Sequence, residues 1–193
     1  MGKLIQIGNF SRLAELNKDP EQEESKTLRD LLINFKSQSL KDPLRLFANQ
    51  LILIVSPEDF QRILEVRINK FLMNYTIGSD LLLCGNYAAS LLAYLDKFRP
   101  FSWYVVDHYF AFQKEKNPQI AKSGGDLCFV ICVLFIGHKR HRGFGKTFFQ
   151  TAGKFFYLSF YRLTGRPIGY YMKNHFPLIV EASSSALKNI KIN

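Results

Sequence analysis

Cysteine is scarce in this chain of 193 residues, with Cys84, Cys128 and Cys132 making up the full set. All three lie in apolar surroundings, and Cys128 and Cys132 lack the CxxC spacing of a zinc or redox site. They read as buried, reduced thiols of a cytoplasmic protein. Long hydrophobic runs are also missing. The longest, Leu51–Val55 and Leu127–Ile136, fall well short of the roughly 20 apolar residues that a membrane-spanning helix requires. The opening segment MGKLIQIGNF has no long apolar region leading to a small-residue cleavage site, so no secretory signal is read there. No internal repeat or low-complexity tract is present.

The most informative absence is of acidic side chains. Between Asp126 and Glu181 there is none, while eight Lys/Arg and three of the four histidines fall in that interval. Residues 1–96 carry 11 Lys/Arg against 12 Asp/Glu, whereas residues 97–193 carry 15 against 4. A field of one sign attracts an anionic partner and speeds its arrival. Nucleic acid, an acidic membrane surface and a phosphorylated cofactor all qualify.

What is present is a globular composition, with 47% hydrophobic and 15% aromatic residues, enough for one real core. Residues 1–48 read as a partly helical N-terminal extension: NKDPEQEES (17–25) is a polar linker, and TLRDLLINF after Ser25 has helical spacing. The main domain is placed at 49–193. LILIV (51–55) suits a buried strand. Ser56-Pro57-Glu58-Asp59 then has the chemistry of a helix start, and the helix carries Phe60, Ile63, Leu64, Ile68, Phe71 and Leu72 on one stripe. A second helix is predicted over Ser79–Phe98. FSWYVVDHYFAFQ (101–113) suits two short strands, with one continuous helix as the alternative. KEKNPQIAKSGGD (114–126) reads as a loop and LCFVICVLFI (127–136) as the best strand. A helix over Lys146–Arg162, a strand over 168–172 and a helix over Pro177–Ile190 complete the order. The pattern predicts an α/β fold, a mixed central sheet flanked by helices.

The segment VLFIGHKRHRGFGKTFF then reads as a strand, a basic turn and a helix. Alternate glycines let an anion approach the backbone, and the free amides at the following helix start point at it. Lys139, Arg140, Arg142 and Lys146 surround that place with positive charge. The Walker A pattern fails because Arg140 stands where its first glycine belongs. The GxGxxG fingerprint fails because Phe148 takes the third glycine's place. The pattern [QR]xxGx[GA] is met in full by Arg140, Gly143 and Gly145.

On these residues the chain resembles the GNAT superfamily of N-acyltransferases, in which such a turn joins a central strand to a helix and holds the pyrophosphate of acetyl-CoA. The resemblance spans residues 50–190, with 127–149 its specific part. It implies a GNAT-like sheet and acetyl-CoA or another acyl-CoA as co-substrate. It implies Phe135, Ile136, Arg140, His141, Arg142, Gly143, Phe144, Gly145, Lys146, Thr147 and Asn174 as cofactor-binding residues. An amine, on a small molecule or a protein, would attack the thioester directly, with Asp107, His108 or Asp126 as the group taking its proton. The chain departs from the family downstream. No tyrosine follows Asn174, Glu181 stands about where one belongs, and the chain ends before the last two strands would fit. A homodimer or the N-terminal segment would have to complete the sheet.

A rival reading from another class is a non-enzymatic nucleic-acid-binding or regulatory protein. Lys154, Arg162, Arg166 and Lys173 interleave with aromatics there, and FYRLTGRPIGYY has a passing likeness to the recognition-helix end of helix-turn-helix regulators. His138 and His141, in the run HKRHR, read as part of a solvated basic loop. No carboxylate or cysteine joins them at metal-ligand spacing.

Overall fold

A computed structural model describes residues 56–75, 78–135 and 145–188, and every regular element among them is helical. The α1 helix is Pro57–Leu72 and α2 is Ser79–Ala93, followed by a short 3₁₀ turn at Leu95–Lys97. Then come α3 (Val105–Glu115), α4 (Pro118–Leu134), α5 (Lys146–Thr164) and α6 (Pro167–Lys188). No strand occurs among the described residues, so the mixed α/β sheet is replaced by a helical bundle. With no sheet edge there, a partner copy has none to complete. The extension 1–48 and the predicted strand 51–55 lie outside the described residues.

The α1 helix forms as its sequence dictates. The Ser56 hydroxyl accepts from the Asp59 amide at 3.1 Å, Pro57 opens the helix, and Phe60, Leu64, Ile68 and Leu72 are buried at fourfold spacing. The α2 helix answers with small residues. Gly85 lets the two helices touch, since a Cβ there would lie 2.7 Å from Asn69 Oδ1 and 3.2 Å from Leu72 Cδ1.

Three segments differ from the sequence reading. Val105, His108, Tyr109 and Phe112 are buried at helical spacing, so 101–113 contains one helix rather than paired strands. Asp107 and His108 therefore stand in the first turns of α3 and not at strand edges. The predicted loop 114–126 and strand 127–136 are largely a single helix, α4. Pro118 starts it, with the Asn117 side chain accepting from the Gln119 amide at 2.8 Å. Gly124 and Gly125 punctuate no loop. They make room for Phe156 and Tyr157 of α5, whose rings would lie 3.0 and 3.1 Å from an added Cβ. Leu127–Cys132 is buried on every side, because α4 packs against α3, α5 and α6 together. A short unbroken apolar run suits a helix enclosed all round as well as it suits a central strand.

The third difference is α6, which runs through the predicted strand 168–172 and through Pro177 without a break. Gly169, Met172, Phe176, Ile179, Val180, Ser183 and Ala186 form its buried stripe, and it packs against α1, α2, α4 and α5. Burial on that scale offsets the backbone hydrogen bond that Pro177 removes. Gly153 of α5 admits the Phe176 ring, which would lie 2.5 Å from a Cβ at that position. Gly165, left-handed at φ 66°, ends α5 and turns the chain back into α6. FYRLTGRPIGYY is thus the bend of a helical hairpin, not a recognition helix.

Candidate functional site

Of the predicted phosphate turn, Ile136, Arg140, His141, Arg142, Gly143 and Phe144 lie outside the described residues, as does His138. Its flanks are described, and only one keeps its expected form. Gly145 is the N-cap of α5, with Lys146 and Thr147 exposed in the first turn. On the other side Phe135 is buried at the end of a helix rather than on a strand. The two flanks are close, since Cys132 Sγ lies 3.9 Å from the Lys146 carbonyl. Asn174 is exposed midway along α6.

Two of the three candidates for taking the proton, Asp107 and His108, serve the loop before α3. Asp107 is exposed and accepts from the Ser102 hydroxyl at 2.6 Å. His108 is fully buried. Its Nδ1 lies 3.2 Å from the Ile120 carbonyl, and its Nε2 lies 3.2 Å from the Ser102 amide and 2.7 Å from the Ser102 carbonyl. Its two nitrogens each face a carbonyl, of Ile120 and of Ser102, so a neutral ring donates to one of them whichever nitrogen carries the proton. Burial holds its pKa below the ordinary histidine value, against the pull of those carbonyls, Asp107 and Asp126. This is a structural histidine that ties the loop to α4.

Asp126 is where charge and burial meet. It sits on α4 with only 3% of its surface exposed. The hydroxyls of Tyr87 (α2) and Tyr157 (α5) both donate to its Oδ1, the latter at 2.7 Å, and Lys122 Nζ lies 2.7 Å from Oδ2. Lys122 also stands over the Tyr87 ring at 5.1 Å. Burial, and secondarily the Asp126 charge, pushes both phenols well above the usual tyrosine range, so they remain protonated donors. Three helices are joined at this one carboxylate.

The cluster floors an open cleft of about 370 Å³ between α2 and α4. Tyr87, Ser90, Leu91 and Tyr94 form one wall, and Gln119, Lys122, Ser123 and Asp126 form the other, each with the spacing of one helix face. Lys97, Phe98 and Arg99 close one end. The Ser123 hydroxyl also accepts from the Phe101 amide at 3.1 Å, fixing that end to α4. Of these residues only Asp126 stood out in the sequence, because the facing stripes are not apparent until 118–126 is known to be helical.

A second polar feature lies at the α5–α6 bend. Tyr161 and Tyr170 lie ring to ring with centroids 5.4 Å apart, and Tyr171 follows at 6.3 Å from Tyr170. Tyr161, Arg162, Leu163, Arg166 and Tyr170 are all exposed. No group of three His, Cys, Asp or Glu that could hold a metal ion occurs among the described residues. Comparison with known protein families, with characterised proteins and with solved structures finds no match to this chain.

Proposed function

We propose that this chain binds single-stranded nucleic acid through the outer face of the α5–α6 hairpin and is not an enzyme. The observation that carries the reading is the Tyr161–Tyr170 pair, in ring contact at 5.4 Å and set among Arg162, Arg166 and Lys173. A base has a π-face whatever its identity and stacks on an exposed aromatic ring, while neighbouring cations track the phosphates. No carboxylate occurs from residue 127 to 180, so α5 and most of α6 contribute only cationic charge of their own.

Acyl transfer loses the setting that supported it. The [QR]xxGx[GA] turn drew its force from a strand before it and a helix after it, and the element before it is α4. A lipid surface would also meet a basic aromatic bend. Three partly exposed apolar side chains, Tyr161, Leu163 and Tyr170, offer little area for insertion, and stable anchoring needs more than one weak signal.

The test is fluorescence anisotropy of a labelled oligothymidylate titrated with the full chain over a range of salt. Binding is expected to weaken steeply with salt. Tyr161→Ala and Tyr170→Ala are each expected to weaken it about tenfold at constant salt. Absence of binding at low salt, or affinity unmoved by both tyrosine substitutions, overturns the reading.

A further inference from the structure

The cleft between α2 and α4 is separate from the hairpin face and has its own charge balance. Its lining holds three cations, Lys97, Arg99 and Lys122, against one carboxylate, Asp126. Lys122 is committed to Asp126 at 2.7 Å, so the floor is close to neutral. Lys97 and Arg99, both exposed, remain at the mouth. Lys97 rests over the Tyr94 ring at 4.8 Å, and Arg99 Nη1 is steered by the carbonyls of Asp96 at 2.6 Å and Phe98 at 3.0 Å. Neither is paired with a carboxylate in these contacts; the nearby carboxylate of Glu58 accepts from the Tyr94 hydroxyl at 3.2 Å. Apolar surface lies alongside in Leu91, Tyr94 and Phe98, and hydroxyls in Ser90 and Ser123.

We propose that this cleft is a binding site for a small organic phosphate monoester with a ring-shaped body. Two mouth cations match the two charges of a phosphate monoester better than the single charge of a carboxylate. The volume, near 370 Å³, lies in the range of small-ligand sites and admits one ring with its phosphate. The phosphate sits between Lys97 and Arg99. The ring lies along Leu91, Tyr94 and Phe98, and its polar substituents reach Ser90, Ser123 and the edge of the Asp126 cluster. Asp126, Tyr87 and Tyr157 are positioning residues: they set the distance between α2 and α4 and so keep the walls apart.

Isothermal titration calorimetry of the full chain with phenyl phosphate, and separately with benzoate, tests the assignment. Phenyl phosphate is expected to bind at least tenfold more tightly than benzoate. Lys97→Gln and Arg99→Gln are each expected to weaken it about tenfold. Both side chains are exposed, so thermal unfolding of the variants should match the parent. Arg162→Gln/Arg166→Gln, on the hairpin, is expected to leave phenyl phosphate binding unchanged, which separates this site from the nucleic-acid face. No measurable heat, equal binding of benzoate, binding unmoved by the mouth substitutions, or binding lost with the hairpin substitutions each overturns the assignment.

Discussion

The Tyr157 hydroxyl of α5 donates to Asp126 Oδ1 of α4 at 2.7 Å, a buried bond between residues 31 apart. It turns a carboxylate that would be costly to bury into a joint between helices. Tyr157→Phe keeps the ring and removes the donor. It is expected to cost about 1.5–3 kcal/mol, as for a buried hydrogen bond to a charged group. Asp126→Ala strands two phenols and Lys122 together and should cost about 3 kcal/mol, the low end for a broken buried pair because Lys122 still reaches water. Urea unfolding followed by circular dichroism measures both. Equal stability of Tyr157→Phe and the parent would show that the bond contributes nothing.

Gly153 provides a test of packing. An added Cβ would lie 2.5 Å from Phe176 Cζ and 3.2 Å from Cys128 Cβ, in a place walled by α4 and α6. Gly153→Ala is a favourable change for helix propensity, yet it is expected to destabilise by about 1–3 kcal/mol through overpacking. A melting temperature at or above that of the parent would mean that the α5–α6 contact is looser than described.

The three cysteines should be chemically silent in the folded protein. All are buried and free, and burial pushes the Cys84 and Cys132 thiols up to about 12 and raises Cys128 well above the ordinary thiol range. Thiolate is the reactive form, so an Ellman titration at mildly alkaline pH should find no reactive thiol until denaturant is added, and then three. Rapid labelling of any one of them in native buffer would contradict the packing of α2 or α4.

Acid should weaken the fold before it titrates the carboxylates. His108 is held below its ordinary pKa by burial, so as pH falls the unfolded chain takes up the proton first. Its contribution is complete above the ordinary histidine value and is lost progressively below it, towards the depressed folded value. Asp80, lowered chiefly by its hydrogen bond from His175 at 2.7 Å, adds a loss at still lower pH. Stability by urea titration should therefore decline between about pH 7 and pH 5, near the ordinary His pKa. His108→Asn is expected to flatten that part of the profile while lowering stability at neutral pH. An unchanged slope in the variant would assign the decline to another group.

A far-ultraviolet circular dichroism spectrum checks the fold itself. The helical bundle predicts the double minimum of a helix-rich protein, whereas a mixed sheet would give a shallower and broader trough. A strand-dominated spectrum would overturn the bundle.

Some of this protein was decided locally. Ser56, Pro57 and the stripe from Phe60 to Leu72 specify α1 without outside help, because cap, proline and periodicity agree. The helix read over Lys146–Arg162 was legible too, though it runs on to Thr164 before Gly165 ends it, and so was the basic, carboxylate-free run from residue 127 to 180. Tertiary structure decided the rest. An apolar run such as Leu127–Cys132 carries no period of its own, and burial on all sides by α3, α5 and α6 made it a helix. Gly124 and Gly125 look like loop residues until the rings of Phe156 and Tyr157 are seen against them. Pro167–Lys188 reads as strand, break and helix, yet its contact with four other helices holds it continuous through Pro177. The phosphate turn that the sequence offered at 140–145 depended on a strand before it. The cleft at Asp126 exists only because residues from Tyr87 to Asp126 meet across two helices whose facing sides no single segment reveals.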